Sequence, residues 1–563
     1  MKTNFGIYAL AIAVSLFLNC VIALSQYSGG SGTESEPYQI SSAADLEQLM
    51  QNNDDWNKHF ELTTDIDLES YEFTDPYPLP IGKESNKFTG TFDGKDNKIE
   101  NLKMYLFGKY EKHIGLFGYN SGDIRNLGLD DFHIDGDSVV AGMCGVNEGN
   151  ITNCYAVGID TTITDAGGFC CTNMGNITNC NSNVITKANI SAGGFVSYNF
   201  SPGQIKDCYS MSSVYTYKGY SSGFCGYNTG EIDNCFCTGR VTSNENSSAG
   251  FVNFNYGTVK NCYSVGRAYA EEYFAAGFCI RNEGKISDCY ANGSAQAGEY
   301  ASGFCDYNTS KDGIIENCHS TGHVKSGYGY SGGFVRANIR GKIFRCYSTG
   351  RSIAYSYWAG GFCSGNTGSI IECYCTGYTE ASDYPSGFCA INDGGFIGNC
   401  YTTSEVYGYR ITAGFCGTNK IDKYFLQGEI ENCYSSGKNE SYNNMEAGFV
   451  GENDMGKYKC CYWDKEASGV KRGFYKGSNS AVKGKSTSEM NLEDIYKDCG
   501  WDFSEIWIMD DKTGYPQLRC FADPSSDVRR SDDQKYELSI HPNPFSQSTI
   551  INYELREAGY ISL

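Results

Sequence analysis

One short phrase recurs from Gly115 to Tyr462, about every 27 residues. It reads Gly-Phe-Cys-Gly-x-Asn-x-Gly-x-Ile-x-Asn-Cys-Tyr-x-x-Gly, as in Gly223-Phe224-Cys225-Gly226-Tyr227-Asn228-Thr229-Gly230-Glu231-Ile232-Asp233-Asn234-Cys235. A fixed period of this length marks a repeat architecture, and it constrains the fold more than any single residue does. Its second cysteine forms a column at Cys154, Cys180, Cys208, Cys235, Cys262, Cys289, Cys318, Cys346, Cys373, Cys400, Cys433 and Cys461. A second column runs Asn120, Asn147, Asn173, Asn199, Asn228, Asn255, Asn282, Asn308, Asn338, Asn366, Asn392, Asn419 and Asn453. A motif copied this often is scaffold rather than catalytic site.

The local chemistry selects the architecture. Helical repeats need long apolar stretches at a period of 3.6, whereas these units are short β-favouring runs such as Ser-Gly-Phe-Cys and Asn-Cys-Tyr-Ser, cut by Gly and Asn. No unit can bury its own apolar side chains, so coils of about three strands must stack, each strand pairing in parallel with its copies. The expected fold is all-β: a parallel β-solenoid of about 13 coils with N- and C-terminal caps. At the β spacing that makes a rod of roughly 60 Å, right-handed by the usual chirality of parallel crossovers. Phe169, Phe195, Phe224, Phe251, Phe278, Phe304, Phe334, Phe362, Phe388, Phe415 and Phe449 then form an inward aromatic column. The Asn column precedes a Gly by two residues in most coils, which predicts a corner with left-handed backbone and amides bonded from coil to coil.

The chain has 27 cysteines, and an exported protein with that many invites a disulfide framework. The repeat argues otherwise. The residue after the core Phe or its equivalent is Cys at Cys144, Cys170, Cys225, Cys279, Cys305, Cys363, Cys389 and Cys416, but Val at Val196, Val252, Val335 and Val450. A slot that accepts Val is apolar, and Cys buries as a small hydrophobe. A ladder of thiols is the favoured reading, with some disulfides or a metal site as alternatives.

Residues 1–25 read as an export signal: Lys2, an apolar run from Phe5 to Leu18, and small residues near Ala23 and Ser25. No later run reaches the roughly 20 apolar residues of a transmembrane segment. The remainder divides into an N-terminal cap region (26–112), the repeats (113–461), a C-terminal cap region (462–522), a charged, Ser-rich linker (523–535) and a last segment (536–563). The formal net charge of −22, from 66 acidic and 44 basic residues, opposes a nucleic-acid partner. The expected location is secreted or on the outer cell surface.

Chemistry-bearing constellations are sparse. His319 and His323 form the best-spaced metal pair and lack a third ligand; Asp65 and Asp67 alternate along an expected strand as a cap pattern rather than a catalytic pair. No nucleophile elbow or phosphate loop occurs, so no catalytic residue and no cofactor are expected, and the chain reads as a non-enzyme. One column stands out as a ligand-binding candidate. Four residues before the core Phe lie Tyr220, Phe274, Tyr300, Tyr330, Trp358 and Tyr384, accompanied by Tyr217, Tyr269, Tyr273, Tyr328, Tyr355 and Tyr357. Regularly spaced aromatic faces suit sugar rings or protein contacts; inward packing or stacking at a corner is the alternative.

The coils resemble GLUG-motif repeats, through Gly115-Leu116-Phe117-Gly118-Tyr119-Asn120 and Ile124-Arg125-Asn126-Leu127, the later coils being a Cys-rich variant. The flanks Thr64-Asp65-Ile66-Asp67-Leu68, Phe88-Thr89-Gly90-Thr91-Phe92-Asp93-Gly94 and Cys461-Tyr462-Trp463-Asp464 resemble the segments that lead into and end such repeats. That resemblance implies a bacterial adhesin-type surface protein, bound to an extracellular glycan or a host or cell-surface protein, with no catalytic residues to carry over. Its runners-up are a polysaccharide-cleaving β-helix enzyme and a purely structural surface protein. Finally, His541-Pro542-Asn543-Pro544-Phe545 and Thr549-Ile550-Ile551-Asn552-Tyr553-Glu554-Leu555 resemble the start of the C-terminal sorting domain of Bacteroidetes. That implies the type IX secretion machinery as a partner, and 536–563 as a truncated copy of the domain.

Overall fold

One coil explains the whole. From Tyr220 the chain makes five short extended segments, Tyr220–Ser222, Cys225–Asn228, Glu231–Asp233, Phe236–Cys237 and Val241–Ser243, separated by tight bends. Each pairs in parallel with the same segment one coil on: Cys225 with Val252, Ile232 with Val259, Phe236 with Tyr263, Val241 with Ala268. Repetition builds four long sheets of 16, 26, 14 and 13 strands, a parallel β-solenoid of about 14 turns. This computed structural model describes residues 27–74, 78–108 and 112–522; the export signal, linker and sorting-domain segment lie outside the described residues. The three strands per coil expected from sequence become five segments on four sheets. The surplus includes the Ala/Ser/Gly segment before each Phe, whose small residues carry little strand signal of their own.

Phe169 to Phe449 form the predicted inward column. Every ring is fully buried, and successive centroids lie 4.7–4.9 Å apart with nearly parallel planes. The Gly before each Phe is required by contact: a Cβ on Gly223 would stand 2.1 Å from the carbonyl oxygen of Gly250 in the next coil. That carbonyl is also pinned from inside, by Cys237 Sγ at 2.8 Å; Ser348 and Ser435 donate in the same way to Gly361 and Gly448 at 2.7 and 2.8 Å.

The Asn column is fully buried from Asn120 to Asn419, with Asn453 half-buried at its end, and eleven side-chain amides donate Nδ2 to the next Oδ1 at 2.8–2.9 Å, from Asn120 to Asn419. Its left-handed backbone, expected from sequence, is not found. Asn228 ends the strand Cys225–Asn228, and positive φ falls instead on the residue before the column cysteine, such as Asn153 (55°), Asn234 (53°) and Asn399 (51°). Asn and Asp tolerate that conformation. They make a second, outer ladder, in which Asn179 donates to Asn153 and Asn234 to Asp207.

The column cysteines are buried thiols with a polar role that Val could not fill. Cys235 N–H donates to Cys262 Sγ at 3.4 Å, while Cys235 Sγ lies 3.2 Å from Asp233 O. Among the described residues twenty-four cysteines are free, all but half-buried Cys520 are buried, and the disulfide is Cys460–Cys499. Burial pushes the Cys237, Cys375 and Cys461 thiols up to about 12, which suppresses the reactive thiolate there; Cys208 and Cys262, drawn down to about 5 against burial by hydrogen bonds with the neighbouring column cysteines, are shielded by burial alone. Alkylation of the native protein without reductant should therefore label Cys520 at most, and the other thiols only after denaturation. Peptide mass spectrometry checks this; a column oxidised in pairs would overturn it.

Both ends of the rod are covered. At the N-terminal end the helix Ala43–Gln51, capped by the Ser42 hydroxyl, sinks Leu46, Leu49 and Met50 onto the same core as Phe60 and Leu62. At the other end a second aromatic ladder matters. Tyr209, Phe236, Tyr263, Tyr290, His319, Tyr347, Tyr374, Tyr401 and Tyr434 stack at 4.6–5.2 Å. The C-terminal segment folds back along it, setting Phe521 edge-on to Tyr347 and Tyr374 and clustering Trp501 and Trp507 with Tyr434. The disulfide joins that segment to the last coil, with Cα atoms 5.7 Å apart.

Candidate functional site

The aromatic row lies on the segment before each core Phe. In Tyr300–Ser302 the middle residue, Ala301, is fully buried against Ala270, Ala297 and Val324, so strand alternation turns Tyr300 to the outside. Phe274, Tyr300, Tyr330, Trp358 and Tyr384 are accordingly half-buried, one per coil. Tyr220 stands apart: Ser247 occupies the row between it and Phe274, and its ring meets Phe254 edge-on at 4.9 Å. Tyr217, Tyr273, Tyr328, Tyr355 and Tyr357 are exposed beside the row.

The rings touch each other. Phe274 and Tyr300 stack at 5.2 Å and 18°, Tyr300 and Tyr330 at 5.7 Å and 22°. Then the stack opens: Trp358 is tilted by 40° from Tyr330, and Tyr384 is perpendicular to Trp358 at 89° and 6.0 Å. Beneath the row lies a buried ion pair that sequence reading missed. Arg336 donates Nε and Nη2 to Asp306 Oδ1 and Oδ2 at 2.7 and 3.0 Å, and its guanidinium lies 4.0 Å from the Tyr307 ring centroid and 4.7 Å from that of Tyr300. Burial lowers the arginine's pKa, but Asp306 more than reverses that and keeps it above its ordinary value. Both residues occupy the position after the inward Cys or Val, where other coils carry Gly226, Ser364 or Ala390. Opposite charges at one repeat position in adjacent coils were the available signal.

Next to the pair the surface row Phe254, Arg281, Tyr307 gives way to Ala337 and Gly365. A Cβ on Gly365 would meet nothing closer than Arg336 O at 3.9 Å, so this position opens a shallow notch in the coil that carries Trp358.

The remaining candidates have structural roles. His319 is stacked between Tyr290 and Tyr347, and His323 Nδ1 accepts from Arg351 N. No group of three His, Cys, Asp or Glu side chains suited to a metal occurs among the described residues. Asp65 accepts from Lys98 N, and Asp67 from Asn101 and Glu69, which lowers the Asp67 pKa. One ionisable group is anomalous. Asp160 is fully buried in an inward row otherwise made of Ile134, Thr186, Val214 and Val241, and neither carboxyl oxygen has a hydrogen-bond partner. Burial, with the nearby charge of Asp135 adding, pushes its pKa up to about 8.

No family model matches the chain, so the GLUG and sorting-domain resemblances stand on the residues alone. A stretch of 135 residues, 23% of the chain, is 31% identical to halomucin of Haloquadratum walsbyi. A stretch of the same length is 35% identical to a "Putative Gly-rich membrane protein" of Evansella cellulosilytica. These matches span only 2% and 15% of the relatives' own lengths. Among solved structures, a "putative immunoglobulin A1 protease" from Bacteroides ovatus aligns over 88% of this chain and 95% of its own, with 15% identity and a TM-score of 0.26. A likeness that low carries no argument about activity. Among the described residues no helix is long and apolar enough to cross a membrane.

Proposed function

We propose that this chain is a GLUG-like binding scaffold of adhesin type, secreted or held at the outer cell surface, which engages an extracellular glycan or a cell-surface protein. The observation that carries the reading is the row Phe274, Tyr300, Tyr330, Trp358 and Tyr384, five large aromatic side chains half-exposed at one per coil. A large ring is not required there: the same row position holds the buried Ser191 and Ser247 in other coils. The membrane-protein name of one partial relative agrees with a surface location, and export through the type IX machinery follows if the last segment acts as a sorting signal.

Repeated weak contacts add along an extended ligand, so loss of several rings should be graded and large. Changing Tyr330, Trp358 and Tyr384 together to Ala should weaken binding to a panel of immobilised glycans and surface proteins by tenfold or more, on the order expected for aromatic hot spots. Tyr300 is spared because it covers Arg336. The thermal midpoint should stay within a few degrees, as for surface substitutions generally. Unfolding of the triple variant would show the row to be packing; release of reducing ends from a glycan would replace this reading by the enzymatic one.

A further inference from the structure

Charge is spread unevenly over this acidic chain. On the 26-stranded sheet, five consecutive coils contribute the segments 236–242, 263–269, 290–296, 319–325 and 347–353, and none of them contains an aspartate or glutamate. With 66 acidic residues in 563, several would fall there by chance. The same segments carry Arg240, Arg267, Lys325 and Arg351, all exposed. Backbone bonds place the three arginines in one column: Val241 N–H donates to Arg267 O, Ala268 to Ser294 O, Ala295 to His323 O and Val324 to Arg351 O. The column therefore reads Arg240, Arg267, Ser294, His323, Arg351, one residue per coil. Elsewhere the rod pairs its exposed cations with a carboxylate of a neighbouring coil, as at Arg345, Arg410, Lys457, Lys459 and Lys476. None of the four cations of this face makes an ion pair among the described residues. Arg267 donates Nη2 to Gln296 Oε1 at 2.7 Å and lies 5.6 Å from the Tyr269 ring centroid, Lys325 lies 5.0 Å from that of Tyr355, and Arg351 4.8 Å from that of Tyr378. Arg240 stands one coil from Arg267 with no carboxylate between them, an arrangement of like charges that costs stability until an anion joins it.

We propose that this face binds a linear acidic glycan, a polyuronate laid along the rod with its carboxylates on the arginine column. The face lies on a different sheet from the aromatic row and does not depend on the ligand proposed there. Arginine's planar fork matches a carboxylate bidentately. The coil rise of about 4.8 Å is close to the advance per sugar of a 1,4-linked pyranose chain, so carboxylates of successive sugars can meet successive coils. Around the column Thr238, Ser294, Thr321 and Thr349 offer hydroxyls to a sugar's own. Val265 is the one exposed large hydrophobic on these segments, too little for the apolar centre of a protein interface. Acidic residues return at both rims, Asp233 and Asp288 on one side, Glu245, Glu271, Glu272 and Glu299 on the other, and Glu380, bonded to the Tyr378 hydroxyl, ends the strip. The rims stand four or more residues from the column, roughly 13 Å of chain, against a Debye length of about 8 Å at physiological ionic strength. The column thus keeps its attraction for a single narrow chain, whereas a body as wide as a nucleic-acid duplex would meet the acidic rims.

The test is isothermal calorimetry of the purified full chain with hexagalacturonate, and with cellohexaose as its neutral counterpart, at low and at physiological salt. Binding of hexagalacturonate alone is expected, and it should weaken as salt rises, because the contacts are ionic and exposed. Arg240→Ser combined with Arg267→Ser copies Ser213 and Ser294 of the same column, which spares the fold, and should lower affinity about tenfold or more. Arg267→Glu should do at least as much. Arg410→Gln, at a guanidinium paired with Asp383, should leave affinity unchanged, as should the triple change of Tyr330, Trp358 and Tyr384 to Ala. No binding at low salt, equal binding of the two hexasaccharides, or affinity undiminished in the double serine variant would overturn the proposal and leave the aromatic-row reading intact. Loss of hexagalacturonate binding in the aromatic triple variant would move the site to the row and overturn it as well. So would tighter binding of a single-stranded oligonucleotide or an acidic protein, lost in the double serine variant, which would give the face to that partner instead.

Discussion

Replacing Asn228 with alanine is expected to destabilise the middle of the rod by about 3–5 kcal/mol, because it breaks several buried hydrogen bonds at once. Asn228 accepts from Asn199 at 2.8 Å and donates to Asn255 at 2.8 Å, and the same Nδ2 lies within 3.4 Å of the Gly230 and Thr258 carbonyls. Alanine removes the donor to Asn255 Oδ1 and leaves Asn199 Nδ2 only its longer contacts, 3.4 Å, to the Gly203 and Glu231 carbonyls. Asn228→Asp should be at least as harmful, since it keeps the acceptor toward Asn199 but sets an oxygen against Asn255 Oδ1. Solenoids unfold in neighbouring blocks rather than all at once, so urea melts should be read with hydrogen exchange of the coils around residue 228. Native-like protection there in the alanine variant would contradict the ladder's energetic role.

Asp160 gives the second large effect, and its sign is opposite to that of a salt-bridged carboxylate. Below about pH 4, the ordinary aspartate pKa, Asp160 is protonated in both folded and unfolded chains, and its burial costs least. Between there and its folded value of about 8, the unfolded chain releases the proton while the folded chain keeps it. Stability therefore falls as pH rises, by about 1.4 kcal/mol per unit, on the order of 5 kcal/mol across the window. Asp160→Val, which copies Val214 and Val241 in the same inward row, should remove that slope. The variant should gain most near pH 8 and little near pH 4, measured as the difference in urea midpoint from the parent. Equal slopes in the two proteins would mean that the carboxyl reaches water.

Phe224 and Cys225 illustrate what the sequence made legible: a residue repeated in every coil must do the same job in every coil, so inward Phe rings and an apolar Cys/Val slot could be read directly. The Asn column was half legible. Its coil-to-coil bonding followed from repetition, but its backbone conformation did not, because two Asn positions recur per coil and either could serve as the corner. The structure gives strand geometry to Asn228 and left-handed geometry to Asn234. The Ala/Ser/Gly segment was invisible as a strand because its burial depends on neighbours far apart in sequence. For the aromatic row, spacing put Tyr300 and Trp358 in one column, yet whether their faces were available depended on ring tilt, which no pattern encodes. Asp306 and Arg336 were overlooked for the opposite reason: they depart from the repeat, and attention to what recurs hides what occurs once.

Uniform coil contacts have a consequence for how such a gene can change. Asn228 meets Asn255 as Asn255 meets Asn282, so excising or duplicating one complete coil rejoins faces that already fit, and unequal recombination between repeats can shorten or lengthen the rod without inventing a new interface. The joint between Asp306 and Arg336 is different. Loss of the coil bearing Arg336 would bring Asp306 against the coil of Ser364 and strand a buried acid, whereas other joints carry no such charge pairing at this position. Heredity can therefore trade coils freely along most of the rod, but the segment holding the ion pair and the rings above it must pass on as one indivisible block.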